Sequence, residues 1–192
     1  GYKRISEEMK DQDIREFITK LGCLEALPVV SDPKIIKPQE FIDVVLNCRL
    51  PNPFLPDTPQ RIATDTSQKL PIRFGGTIKE YQKRGLGMEK LVRIPLVLAG
   101  YARYLSGIDD NGENFLPSTD PMLEELQAIV APLSVTDKKQ DFSCLKNLYS
   151  REDIFGVDLY DAGLGERVEI MTQELFSGCG AVRKTLHKYV SV

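Results

Sequence analysis

Apolar residues recur along this chain at intervals of three and four, the spacing that lines one face of a helix, and alternation with period two is scarce. Ile14, Phe17, Ile18, Leu21 and Leu24 predict an amphipathic helix over about residues 11–26, stopped by Pro28 and then by Ser31-Asp32-Pro33. Pro38 opens a second helix, where its missing donor costs nothing, and this helix sets Phe41, Ile42, Val45 and Cys48 on one face. Pro51, Pro53 and Pro56 make the next stretch an extended connector. Asp57 is the expected N-cap, with Pro59 in the first turn, of a helix near residues 58–69 that ends just before Pro71. A further helix over about 74–84 ends at Gly85 and Gly87.

From about Leu91 to Leu105 the chain is at its most apolar. Leu91, Val92, Ile94, Leu96, Val97, Leu98 and Ala99 leave almost no polar face, which predicts a central buried helix. Pro95 requires either a kink there or a start close by. Asp109-Asp110-Asn111-Gly112 reads as a turn, and Asp120-Pro121 as the cap of a helix carrying Leu123, Leu126, Ile129 and Val130. A short helix follows over about 141–150, then a loop at Asp158-Leu159-Tyr160-Asp161, then two helices over about 164–190 separated at Gly178-Cys179-Gly180. No internal repeat or low-complexity tract interrupts this order. The expectation is an all-α, mainly helical fold in one domain spanning residues 1–192.

Composition narrows the picture by exclusion. With 42% hydrophobic and 28% charged residues the 192-residue chain is of ordinary globular type, long enough to bury a core. A formal net charge of −3 offers no electrostatic footprint for nucleic acid or an anionic membrane. No apolar run has transmembrane length, and the opening Gly1-Tyr2-Lys3-Arg4 turns charged too quickly for a secretory leader. Cys23, Cys48, Cys144 and Cys179 are widely spaced and form no Cys-x-x-Cys pair, and His187 is the only histidine. No metal site is expected, and the cysteines read as buried or half-buried thiols in a reducing cytoplasm.

Several patterns invite a chemical reading. Gly85-Leu86-Gly87 and Gly178-Cys179-Gly180 suggest phosphate loops, but neither follows a predicted strand or completes a dinucleotide fingerprint, so both are read as helix caps and turns and no cofactor-binding residue is assigned. Asp109, Asn111 and Glu113 alternate like a calcium loop, yet its obligatory glycine would fall at Asn114, and a surface turn is favoured. His187 has no orienting partner that the sequence can name and is read as a solvated histidine at a helix end. Arg61, Asp65 and Lys69 stand four apart on the predicted helix and would share a face, with Asp65 placed to pair with both cations. That is either a solvated ion-pair ladder or two cations presented to an anionic or hydroxyl-rich ligand.

The stretch from Asn52 to Pro71, Asn-Pro-Phe-Leu-Pro-Asp-Thr-Pro-Gln-Arg-Ile-Ala-Thr-Asp-Thr-Ser-Gln-Lys-Leu-Pro, resembles the Asn-Pro, Asp-Thr, Arg-Ile-Ala, Asp-x-Ser-Gln-Lys signature of the mannitol dehydrogenase family, the long-chain mannitol dehydrogenases and fructuronate reductases. The Gly1-Tyr2 opening followed by an acidic helix, and the closing Gly178-Cys179-Gly180-Ala181-Val182-Arg183-x-x-Leu186, are similar to the same family. The resemblance implies the family's helical carboxy-terminal substrate domain, which closes over substrate beside an amino-terminal Rossmann-type domain that binds NAD. It also implies that Arg61 and Lys69 contact substrate, with Asp65 in support.

The family's catalytic lysine lies in a Lys-x-x-x-x-Asn-x-x-His pattern that does not occur here, so no catalytic residue is assigned and this chain alone is expected to be inactive. Asp65-Thr66-Ser67-Gln68-Lys69 departs from the Asp-Gly-Ser-Gln-Lys of typical mannitol dehydrogenases and looks closer to the uronate-reducing branch. The resemblance therefore implies interconversion of a keto sugar acid and a sugar acid, as fructuronate and mannonate. The alternatives are a mannitol–fructose dehydrogenase within the family and, outside it, a non-catalytic helical binding module.

Overall fold

The computed structural model describes residues 2–137 and 139–192, so the Gly1 of the opening motif lies outside the described residues. Among the described residues there is no strand; Ile108 and Asn114 form a single isolated bridge. The helices are α1 (Ile5–Glu8), α2 (Gln12–Lys20), α3 (Pro38–Val44), α4 (Pro59–Ala63), α5 (Thr66–Leu70), α6 (Gly76–Arg84), α7 (Arg93–Leu105), α8 (Leu123–Val130), α9 (Cys144–Tyr149), α10 (Glu152–Phe155), α11 (Gly165–Leu175) and α12 (Ala181–Val190). Wider, π-type turns extend α2 over Leu21–Ala26 and α3 over Val45–Arg49, and a third over Pro71–Gly75 joins α5 to α6. No helix among them is long and apolar enough to cross a membrane.

At the centre lies α7, as its apolar sequence requires. Ile94, Leu98, Ala99, Ala102 and Leu105 are all but inaccessible, and each fully buried leucine or isoleucine side chain contributes about 1.5–3 kcal/mol. The helix packs most extensively along α11, with α8 beside it. Pro95 sits in the first turn, where its lost donor would have been unpaired, so the proline marks a start and not a kink.

A buried helix start leaves backbone donors with no water to meet them. Glu25, wholly inaccessible on the Leu21–Ala26 turn, answers this from 67 to 69 residues away. Its carboxylate accepts from Val92 N (3.0 Å), Arg93 N (2.6 Å) and Ile94 N (2.8 Å). The Arg93 guanidinium, 3.7 Å from the same carboxylate, completes a buried ion pair. At the other end Arg103 is also buried; it donates to the carbonyls of Leu175 (3.2 Å), Asp109 (2.8 Å) and Ile108, and stacks 5.4 Å above the Phe176 ring.

Asp110 repeats the Glu25 arrangement at α12, accepting from Val182 N (2.8 Å) and Arg183 N (3.0 Å). The turn over residues 109–112 is therefore a capping device, and Asp109 is occupied in accepting from Asn111 N (2.8 Å) and Glu113 N (2.9 Å). Gly85 and Gly180 likewise take positive φ, at the end of α6 and the start of α12, as caps.

Several expectations require correction. The helix predicted over 58–69 is two helices, broken at Thr64-Asp65, because Asp65 adopts a left-handed conformation (φ 52°). Thr58, not Asp57, is its N-cap, accepting from Arg61 N at 3.2 Å. Pro71 does not end a helix. The chain continues through it to Arg84, because the wider Pro71–Gly75 turn accommodates a ring that would clash with the carbonyl four residues back.

On the second predicted helix Phe41 is 55% exposed and Leu46 is the buried residue, since this helix touches the rest mainly where Ile42 rests on Gly22. Its Cys48 is exposed, and so is Cys179 in the glycine turn; only Cys23 and Cys144 are partly buried. His187 is 71% exposed, as expected of a solvated residue, but has a neighbour the sequence could not name: Asp13, 3.2 Å from Nδ1.

Two stability predictions follow from these contacts. Glu25→Ala leaves three buried backbone donors and the Arg93 charge unmet and should cost about 3–5 kcal/mol in urea unfolding. Glu25→Gln, which places an amide donor among donors, should also destabilise; a loss under about 1 kcal/mol in both would overturn this account of α7.

Asp11 is the second case. It caps α2 and accepts from Tyr2 Oη and Arg183 Nη1, both at 2.5 Å, and the Arg183 bond is the main force drawing its pKa down to about 2. A depressed carboxylate contributes stability that is complete above its unfolded pKa and is lost as pH falls towards about 2. Asp11→Asn should therefore flatten the decline in unfolding free energy between about pH 4 and pH 2; an unchanged slope would contradict this.

Candidate functional site

The break after α4 shapes the one face where the candidate cations gather. Thr64 leaves the helix in extended conformation, Asp65 turns left-handed, and Asp65 N donates to Thr119 O at 2.9 Å. The new helix is anchored from 53 residues away: the Asp120 carboxylate accepts from Ser67 N (2.7 Å) and Ser67 Oγ (2.5 Å), and also from Met122 N (2.9 Å). Asp120 thus anchors the start of α5 and the turn before α8, whose N-cap is Met122 and not Asp120 as the sequence predicts.

This geometry separates what the helical spacing had joined. Arg61 pairs with Asp57, its Nε 2.5 Å from Oδ1, and not with Asp65. Lys69 folds back along the break, its ammonium donating to the carbonyls of Ile62 (2.8 Å) and Thr64. Those carbonyls belong to the last turn of α4, where intrahelical donors run out and a cation is favourable. No hydrogen bond or ion pair engages the Asp65 carboxylate among the described residues; its contribution is the backbone break.

Arg61 and Lys69 nonetheless line one depression of about 790 Å³, with Pro59, Ile62, Thr66 and Leu70 from their own segment. Three further elements complete it. Ile5 and Glu8 come from α1, Arg73 and Phe74 from the Pro71–Gly75 turn, and Val97 from α7. Burial holds the Glu8 carboxyl above its ordinary range. Three cations therefore face one carboxylate, over apolar walls. Such a depression suits an anionic, hydroxyl-bearing ligand, and its low-dielectric walls strengthen each charged contact.

The sequence missed Arg73 and Glu8. Arg73 had a signal, since it stands four residues after Lys69, but ending the helix at Pro71 hid it. Glu8 had none, because only the docking of α1 (Ile5 N to Asp57 O, 3.2 Å) brings it here. Among the described residues no three His, Cys, Asp or Glu converge in a way that could hold a metal ion. The fold, all-helical among the described residues, has a solved counterpart. It matches Pseudomonas fluorescens mannitol 2-dehydrogenase, solved as a ternary complex with NAD and D-mannitol, with a TM-score of 0.82 at 24% identity over 100% of this chain and 36% of that one.

The family model described as the mannitol dehydrogenase C-terminal domain matches residues 1–176, and the chain belongs to that family. It is 50% identical over 191 residues to a D-mannonate oxidoreductase of Thermotoga maritima, covering 99% of this chain and 35% of that protein. It is 32% identical over 144 residues to a mannitol 2-dehydrogenase of Phaeosphaeria nodorum, covering 74% of this chain and 24% of that protein. The chain thus spans about a third or less of the length of these relatives.

The contacts of the two cations predict different stabilities. Lys69→Ala removes the charged donor from the end of α4 and should cost about 1.5–3 kcal/mol, whereas Arg61→Ala, which loses an exposed ion pair, should stay within about 1 kcal/mol. Chemical unfolding of both variants checks this; equal costs would contradict the backbone role of Lys69.

Proposed function

We propose that this domain holds and orients the substrate of an NAD-dependent oxidoreductase that interconverts a keto sugar acid and a sugar acid, of the fructuronate–mannonate type. The observation that carries the proposal is the depression in which Arg61 and Lys69 converge, on a chain half identical to a D-mannonate oxidoreductase. The Arg61 guanidinium, held by Asp57, and the Lys69 ammonium offer charged donors to the hydroxyl and keto oxygens of such a substrate. Both act by holding substrate in a reactive pose. Asp65 supports them through the turn that aims α5.

Hydride transfer needs a cofactor and a proton donor within reach of the reacting oxygen. In this reading NAD is held by a Rossmann-type domain that precedes this one in the working enzyme, in the cytoplasm, and the proton is supplied by the family's lysine, which lies outside these 192 residues. A mannitol–fructose activity is the second reading, favoured by the likeness of fold to the enzyme solved with D-mannitol.

A panel of fructuronate, mannonate, fructose and mannitol on the enzyme carrying this domain separates the two; a preference for the neutral pair would overturn the first. The 192-residue chain alone should turn over none of them. Arg61→Ala should lower kcat/KM on the sugar acid by about ten- to a hundredfold, the equivalent of about 1.5–3 kcal/mol, and leave the KM for NADH unchanged. Wild-type kinetics in both Arg61→Ala and Lys69→Ala would remove these residues from the site.

A further inference from the structure

The three cations of the depression are not equally free to bind. Arg61 is paired with Asp57, and the Lys69 ammonium is shared between two backbone carbonyls. Among the described residues no hydrogen bond or ion pair engages the Arg73 guanidinium, although it lines the same depression.

Its direction is set by the turn that carries it. Gly75 is pressed against the α10 end so closely that a Cβ there would come 2.5 Å from Phe155 O, and one at Gly156 would come 3.0 Å from Pro71 O. That side of the turn is backbone against backbone. Residues two apart on a helical path point nearly opposite ways, so Arg73 is turned from the α10 contact towards the cleft. It also stands one turn beyond Lys69, on the same side. The guanidinium thus offers five donors in a planar fork, uncommitted among the described residues, at a depression that Phe74 and Val97 also line.

We propose that Arg73 binds the carboxylate of the sugar acid and so sets selectivity for acids over neutral polyols and ketoses. This rests on the reading that the substrate is a sugar acid. A planar carboxylate takes two parallel N–H donors from arginine and loses this geometry with lysine. A neutral polyol offers no charge for the fork to meet. Glu8, the lone carboxylate of the lining, disfavours an anion on its own side of the depression and leaves the Arg73 side for it.

The test uses Arg73→Gln and Arg73→Lys in the enzyme carrying this domain. It measures kcat/KM for fructuronate and mannonate, fructose and mannitol as substrates or as inhibitors, the KM for NADH, and the thermal midpoint. Arg73→Gln should lower kcat/KM on the acids by about ten- to a hundredfold, chiefly through KM, and collapse the preference of acid over neutral by the same factor. Arg73→Lys should retain part of that preference. The midpoint and the KM for NADH should not move. Equal losses on acid and neutral compounds, or a raised KM for NADH with the preference intact, would overturn the inference. A wild-type enzyme that favours the neutral pair would overturn the functional reading and this inference together. An acid-preferring wild type whose preference survives Arg73→Gln would overturn this inference alone.

Discussion

A helix with no polar face has to begin and end inside the protein, and its unpaired backbone groups go inside with it. The carboxylate of Glu25, closing the start of α7, is the contact on which the remaining arrangement depends. It joins the end of α2 to the centre of the core and so sets where α7 begins, and α8 and α11 are packed on α7. Burying a carboxylate is costly, and three backbone donors together with the Arg93 charge are what make it tolerable. The same solution recurs where Asp110 closes α12 and Asp120 closes α5. Each partner is drawn from a remote stretch of chain, so the capping contacts also act as tertiary contacts.

The Asp120 cap has a consequence for the cleft. By holding Ser67 it fixes the direction in which α5 leaves the break at Asp65, and hence the side to which Lys69 and Arg73 belong. Lys69 then ties the new helix back to the end of the old one. The break and the widened turn at Pro71 are both local departures from a regular helix. Together they fold one stretch of sequence into a concave surface on which Arg61, Lys69 and Arg73 face a common space.

Periodicity was a sound guide where burial is one-sided or complete. It located α7, the amphipathic α2, and the glycine-broken pair α11 and α12, because the solvent-facing and buried residues of a packed helix differ in kind. It failed where a local conformation outweighed the pattern. The i, i+4, i+8 spacing of Arg61, Asp65 and Lys69 assumes an unbroken helix, and Asp65 in a left-handed conformation turns that stripe into separate contacts. The face of Phe41 and Val45 is apolar, yet Leu46 carries the burial, because amphipathicity says that a face seeks cover and does not say which neighbour arrives.

By itself the sequence determined the helical class, the identity of the central helix, the glycine caps and the motif that points to Arg61 and Lys69. Each of these depends on residues close together in the chain, where spacing and backbone preference act directly. Only the tertiary structure decided that Glu25, Asp110 and Asp120 cap distant helices. It alone brought Glu8 and Arg73 to the cleft and gave Asp65 to the backbone and not to the cations. Those outcomes depend on which side chains meet across tens of residues, and a carboxylate in a sequence carries no mark of the helix end it will be buried against.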